Sequence, residues 1–532
     1  MRELRADVVV IGGGLGGVAA ALGALRAGRS VLLTEEYEWL GGQLTSQAVP
    51  PDEHSWVEQF GVTASYRALR DGIREYYRRH YPLTDRARLT RDLNPGAGHV
   101  SRLCHEPRVA VSVIEAMLAP YRGSGLLRVL PGFVAVAAQT DGDRVSSVTV
   151  RGPGEELVLS GPYVLDATET GELLPLTGTE YVTGFESRGE TGEPSAPDVA
   201  DPANMQAFSV CFAVDHVDGD HTIDRPAAWE FWRDYQPPFW GAKMLSWQTP
   251  NPRTLATSTR SFTPNPDDDP WLVQADQRVN PGDGNLWTFR RIAARRNFTA
   301  GSYPSDICLV NWPMIDYFEA PIIDVPNAAH HVRRARELSA CVLYWLQTEA
   351  PRPDGGTGWP GLRLRGDVTG SADGLAQAPY IRESRRIRAE YTIVEQDLSL
   401  DIRGDKGAAS HPDAIGIGMY RIDLHPSTGG DTYIDVASCP FEIPLGALIP
   451  QRMENLLPAG KNIGTTHITN GSHRLHPVEW NVGEVAGILA DFCLTHAVTP
   501  RAVRNTPALL ADFQQRLTAD GVELRWPDIS GY

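Results

Sequence analysis

The chain has 532 residues, 42% of them apolar and 22% charged, the balance of a soluble globular protein long enough for several domains. Its 49 basic and 66 acidic residues leave a net charge of −17, which repels phosphate backbones and anionic lipid, so nucleic acid and membrane surfaces are poor partners. No apolar run approaches the roughly 20 residues that a membrane helix needs.

The run ADVVVI, residues 6–11, is uninterrupted, apolar and β-branched, as in a strand buried on both faces. Gly12-Gly13-Gly14-Leu15-Gly16-Gly17 follows and satisfies G-x-G-x-x-G. An Ala- and Leu-rich stretch then predicts a helix closing at Gly28 as its C′ residue, and SVLLTEE predicts a second buried strand ending in Glu35 and Glu36. In such a unit Gly12 permits the turn, Gly14 lets backbone approach a diphosphate, and Gly17 lets the helix pack on the sheet. The diphosphate would sit on the amides at the helix start, including Leu15 and Gly16. Glu35 stands 18 residues after Gly17, where an acid accepts hydrogen bonds from ribose hydroxyls; a one-residue shift would exchange it with Glu36. Strand, turn, helix, strand and acid together point to dinucleotide binding.

The next stretch, YEWLGGQLTSQAVP, carries a glycine doublet, Gly41-Gly42, about six residues past Glu35 and followed by Gln43. Farther on come LCHEP (103–107), GPYVLDATETG (161–171) and NLLPAGKNIGTTHITNGSHRLHPVEWNVGEVAG (455–487). On these segments the chain resembles the FAD-dependent oxidoreductases with a glutathione-reductase-like FAD domain. The resemblance implies that FAD is the cofactor. It implies a second FAD contact around Ala167, Thr168 and Gly171. It also implies a strand reaching Gly460 and Lys461 beside the flavin. A helix from Pro477 through Asn481 would then point its N-terminus at the flavin C2 carbonyl. Trp480, Val482, Val485, Ile488 and Leu489 stand at helical spacing after Pro477, in agreement.

The expected fold is α/β: a discontinuous Rossmann-like FAD-binding domain over 1–184 and 438–495, an inserted α+β substrate domain over 185–437, and a C-terminal helix and tail over 496–532. Asp141-Gly142-Asp143 marks a hairpin, and residues 330–350 an amphipathic helix. The six cysteines include no CxxC, so a dithiol centre and a zinc knuckle are not indicated, and no metal site is expected. Their scatter suits isolated thiols, and the N-terminus shows no signal-peptide pattern, so the expected location is cytoplasmic. Cys104 and His105 are adjacent, and the bland reading of such a thiol is simple burial.

Hydride transfer between a substrate carbon and flavin N5 calls for a proton acceptor. His476, held before Pro477, is the first candidate, with packing or helix capping as the competing role; His473 is the second. Arg382, Glu383, Arg385 and Arg386 read as a helix whose charges form a solvated face, unless Arg382 points inward to a substrate carboxylate. Tyr420 and His425 in YRIDLH fall on opposite strand faces, and Asn311, Trp312, Asp316 and Tyr317 form another candidate wall. The expected activity is FAD-dependent dehydrogenation or oxidation of a small molecule. Electrons would pass to O₂, a quinone or a carrier, since no second dinucleotide fingerprint is present. A flavin monooxygenase and a flavin-bearing tRNA-modifying or carrier protein are the alternatives. Ala459-Gly460-Lys461 lacks the Gly-Asp of the hydroxylases, and the negative charge disfavours RNA.

Overall fold

The protein is described from a computed structural model, over residues 2–271 and 284–529. The fingerprint segment forms strand β1 (Val8–Ile11), helix α1 (Leu15–Arg26) and strand β2 (Val31–Glu35). Strands β3 (Leu127–Pro131), β4 (Tyr163–Asp166) and β5 (Leu456–Pro458) complete a five-stranded sheet in the order β5-β4-β1-β2-β3. Every pairing in it is parallel. Strands β1 and β4 are buried along their whole length, which explains their unbroken apolar runs. Gly28 takes a φ of +82° just past α1, where a side chain would be strained. A second sheet lies alongside: Val134–Asp141, Arg144–Gly152 and Glu155–Ser160 form a meander, with Arg2–Arg5 added parallel to its last strand. Asp141 pairs with Arg144 across a turn in which Gly142 has a φ of +57°.

The middle of the chain builds an antiparallel sheet from Arg291–Ala293, Ile307–Val310, Phe212–His216 and Leu362–Leu364. The amphipathic helix runs from Ala328 to Thr348. Ala414–Gly418 pairs with Phe441–Pro444, so backbone hydrogen bonds cross the boundary expected after residue 437. The charged stretch around Arg382–Arg386 departs from expectation. It is extended, not helical: Tyr380 bridges Ser209, and Arg386–Ile387 pairs with Tyr181–Val182. Arg382, Glu383 and Arg386 are buried, not solvated, because each charge has a partner inside the fold. Arg386 donates to Glu186 at 2.9 Å and pairs with Glu383, while Glu383 meets His467 Nδ1 at 2.9 Å.

Helix α2 (His476–His496) packs on α1 backbone against backbone. A methyl group on Gly483 would lie 2.0 Å from the Gly16 carbonyl oxygen; one on Gly487, 2.1 Å from Ala20 O; one on Gly23, 2.4 Å from Glu484 O. No side chain fits at these crossings, and the close approach sets the start of α2 beside the glycine turn. Gly483→Val should therefore lower stability by about 3 kcal/mol, as overpacking does, and shed the cofactor. Gly123→Ala, at a position whose methyl would meet nothing, should change neither. Urea unfolding midpoints and cofactor content check both.

Candidate functional site

The turn between β1 and α1 opens into a cavity of about 440 Å³. Its wall includes Gly12, Gly14, Glu35, Glu36, Gly42, Ala167 and Thr168. Gly12 has a φ of +96°, and a methyl on it would lie 2.4 Å from Ala167 O, so only glycine makes this turn. A methyl on Gly16 would lie 1.8 Å from Ala459 O, and one on Gly17 2.0 Å from Gly12 O; these two glycines serve packing. Gly41, with a φ of +106°, donates to Gly13 O at 2.8 Å and returns the following segment to the turn. Methyl groups on Gly14 and Gly42 would each lie 2.8 Å from the Glu169 carboxylate. A carboxylate thus rests beside these two glycines, and at the start of α1 the Gly16 amide donates to a second carboxylate, Glu479, at 3.4 Å, as free first-turn amides and the helix dipole favour. The diphosphate of a dinucleotide has the same charge sign and acceptor oxygens, so the residues fit such a group. Buried Lys461 pairs with Glu169 and lies 3.3 Å from Glu479, and these anions hold its ammonium protonated against burial.

Glu35 sits at the tip of β2, 6% exposed, and accepts from the Tyr37 amide at 2.9 Å. Burial pushes its carboxyl up to about 8; the Tyr37 amide opposes this, while the charges of Glu169 and Glu36 add to it. Gln43 is fully buried, with Nε2 donating to Arg474 O at 3.1 Å and to Glu479, and Oε1 without a partner. Gly460 lies beside Glu479 with room around it. Gly171 faces Arg385, between Thr170 and Glu172 of the cavity wall, and Asn481 packs on Gly416.

A second cavity of about 250 Å³ opens beyond the first. Five arginines (Arg253, Arg260, Arg290, Arg382, Arg421) and three aspartates (Asp52, Asp423, Asp435) line it, with Asn311, Trp312, Tyr420 and His425. Two chain segments carry both walls. Ser46 and Gln47 face the first cavity and Asp52 the second; Ala378, Pro379 and Ile381 face the first and Arg382 the second.

His425 Nδ1 donates to Asp316 Oδ2 at 2.6 Å. Asp316 is fully buried, yet the Arg382 and His425 charges outweigh burial and hold its carboxyl at about 2. Ser209 Oγ donates to it at 2.7 Å, and Arg382 Nη2 lies 3.0 Å away. The ionised Asp316 fixes a ring proton on Nδ1, and Nε2 lies 3.8 Å from Asp423 Oδ2. His476 is arranged the other way. In the first turn of α2, its Nδ1 accepts the Asp52 amide at 3.0 Å, which puts the ring proton on the buried, unpartnered Nε2. Burial, with the charges of Arg290 and Lys461, drives its pKa far down. Pro477 occupies that same first turn. His473 lines neither cavity; its Nδ1 meets Thr469 O at 2.9 Å and its ring stacks on Phe441. Cys104 is fully buried and its thiol is pushed up to about 12, so it is no nucleophile. Arg290, Asp52 and Arg474 carried no sequence signal: Arg290 lies in the least informative stretch, and the Asp316–His425 pair spans 109 positions.

The model of the family described as FAD dependent oxidoreductase matches residues 7–517. The chain belongs to that family. FAD is its cofactor, and it is an oxidoreductase. L-aspartate oxidase of Mycobacterium tuberculosis (strain ATCC 25618 / H37Rv) is 30% identical over 188 residues, 31% of this chain and 35% of that protein. The enzyme of the same name from Mycobacterium bovis matches to the same extent, so the chain spans about a third of these curated relatives. Among solved structures, L-proline dehydrogenase from P. horikoshii is 17% identical over 35% of this chain and 25% of that one, with a TM-score of 0.18. A flavin-dependent brominase is 17% identical over 41% and 47%, with a TM-score of 0.24. Among the described residues of this FAD dependent oxidoreductase, no helix is long and apolar enough to cross a membrane.

Gly14→Val should give colourless protein, checked by the visible spectrum after purification. Glu35 holds its proton in the fold over the range in which the unfolded chain has lost it, so apoprotein stability should fall as pH rises from about 4.5 to about 8. Glu35→Gln should flatten that slope, measured by urea unfolding across the pH series.

Proposed function

We propose that this oxidoreductase oxidises a small organic substrate held in the second cavity, with FAD held along the first. The observation carrying this reading is the shared wall: residues 46–52 and 378–382 face one cavity with one part and the other cavity with the next. In this reading Gly12, Gly14 and the Leu15 amide hold the diphosphate and Glu35 the ribose hydroxyls. Gly42, Gln43, Ala167, Thr168, Gly460 and Lys461 line the path toward the ring. Bound FAD supplies a two-electron acceptor for hydride leaving a substrate carbon.

His425 takes the proton from the neighbouring hydroxyl or amine on Nε2, with Asp316 orienting the ring and stabilising the imidazolium formed. Arg382 positions Asp316 and forms part of the wall, as does Tyr420. His476 serves as a neutral, fixed donor through Nε2–H, not as the base, because its Nδ1 lone pair is already engaged. We read residues 185–437 as a substrate domain inserted into an FAD-binding domain of 1–184 and 438–495, with 496–532 as a terminal extension. The lining of the second cavity, drawn mostly from 251–435, supports that division. Six free thiols suit a reducing compartment, consistent with a cytoplasmic location.

Anaerobic mixing with a panel of alcohols, amines and amino acids tests the reading: one class should bleach the flavin's visible absorbance. His425→Asn should retain FAD and slow that bleaching about a hundredfold, as loss of a general base does. An unchanged rate would remove the histidine from the proton step.

A further inference from the structure

Hydrogen-bond donors outnumber acceptors on the wall of the second cavity, and one of them, Arg290, leaves two guanidinium nitrogens without a hydrogen-bond partner. Arg290 stands on its wall with its side chain 12% exposed. Its Nε and Nη1 are buried without a hydrogen-bond partner among the described residues, where its ion pair, Nη1 to Asp52 Oδ1 at 3.7 Å, is too long for a hydrogen bond. The other cavity arginines are better supplied: Arg421 and Arg253 share Asp435, and Arg382 has Asp316, Ser209 and the Ala207 carbonyl. Asn311 Nδ2, Trp312 Nε1 and Arg382 Nε on the same wall are also buried and unpaired. Buried guanidinium nitrogens without hydrogen bonds are costly unless a ligand completes them. The remaining buried side-chain atom of this wall without a partner is the Tyr433 hydroxyl, which can donate as well as accept.

Resting on the reading of this cavity as the substrate site, we propose that the substrate carries a carboxylate held by Arg290, with Asn311 and Trp312 completing its shell. A carboxylate offers two coplanar acceptor oxygens, which match the guanidinium fork in a way that a neutral amide or alcohol does not. His425 lies on the wall of the same cavity, so a carbon next to that carboxylate is presented within the cavity that holds the base.

The test uses the FAD-loaded enzyme and two probes of equal shape, malonate and its uncharged diamide, malonamide, with inorganic phosphate as a third. Binding is read by titration calorimetry and by perturbation of the flavin spectrum. Malonate should bind saturably and malonamide at least tenfold more weakly. Arg290→Gln should lose most malonate binding while keeping its FAD, and Arg290→Lys should lose an intermediate amount, retaining charge without the planar fork. Equal binding of diamide and diacid, or undiminished binding by both variants, would overturn the proposal, as would phosphate binding more tightly than malonate. The malonate–malonamide contrast needs no variant, so it decides even if Arg290→Gln misfolds. Arg290-dependent calorimetric binding with a silent flavin spectrum would support the carboxylate site and instead overturn its placement beside the flavin.

Discussion

Everything in the site depends on two helices meeting without side chains between them. Gly16 and Gly23 on α1 and Gly483 and Gly487 on α2 bring main chain against main chain. This contact places the N-terminus of α2 next to the turn leaving β1, although some 460 residues of chain separate them. From it follow the pairing of Gly16 N–H with Glu479 and the seating of Lys461 between Glu169 and Glu479. The placement of His476 against Asp52 follows as well. A helix terminus carries partial charge only over its last turn, so a slip of a full turn at the crossing would carry the start of α2 away from the glycine turn.

The two cavities are lined by different titratable groups within one acidic protein. Glu35, Glu36, Glu169 and Glu172 surround the first, and arginines outnumber aspartates around the second. Net charge therefore says little about the ligand, because buried groups interact through a low dielectric at short range while surface charge is screened. The second cavity invests heavily in charge. Asp316 stays ionised despite full burial only because Arg382 and His425 flank it, and that ionisation fixes the histidine tautomer.

The contrast between His425 and His476 shows how little residue type settles about chemistry. Each imidazole commits Nδ1 to one partner: an ionised carboxylate at 2.6 Å for His425, a backbone amide at 3.0 Å for His476. The first partner accepts the Nδ1 proton; the second donates to Nδ1 and leaves the ring proton on Nε2. The same ring is thereby directed to opposite tasks by a single neighbour.

The sequence by itself determined the dinucleotide half of the protein. Strand, glycine turn, helix, acid and hairpin are each specified by residues a few positions apart, where steric freedom at glycine and apolar periodicity act directly. It also marked Arg382, Tyr420 and the Asn311–Asp316 stretch without a way to join them. Only the tertiary structure decided that Arg382 is buried in an extended segment, that Asp316 reaches His425, and that Arg290 faces the same space. It also decided that His473 packs on Phe441 and Asn481 on Gly416. Those outcomes depend on contacts between segments separated by scores to hundreds of residues, and on which hydrogen-bond partner each buried group finds. Neither leaves a local pattern in the chain.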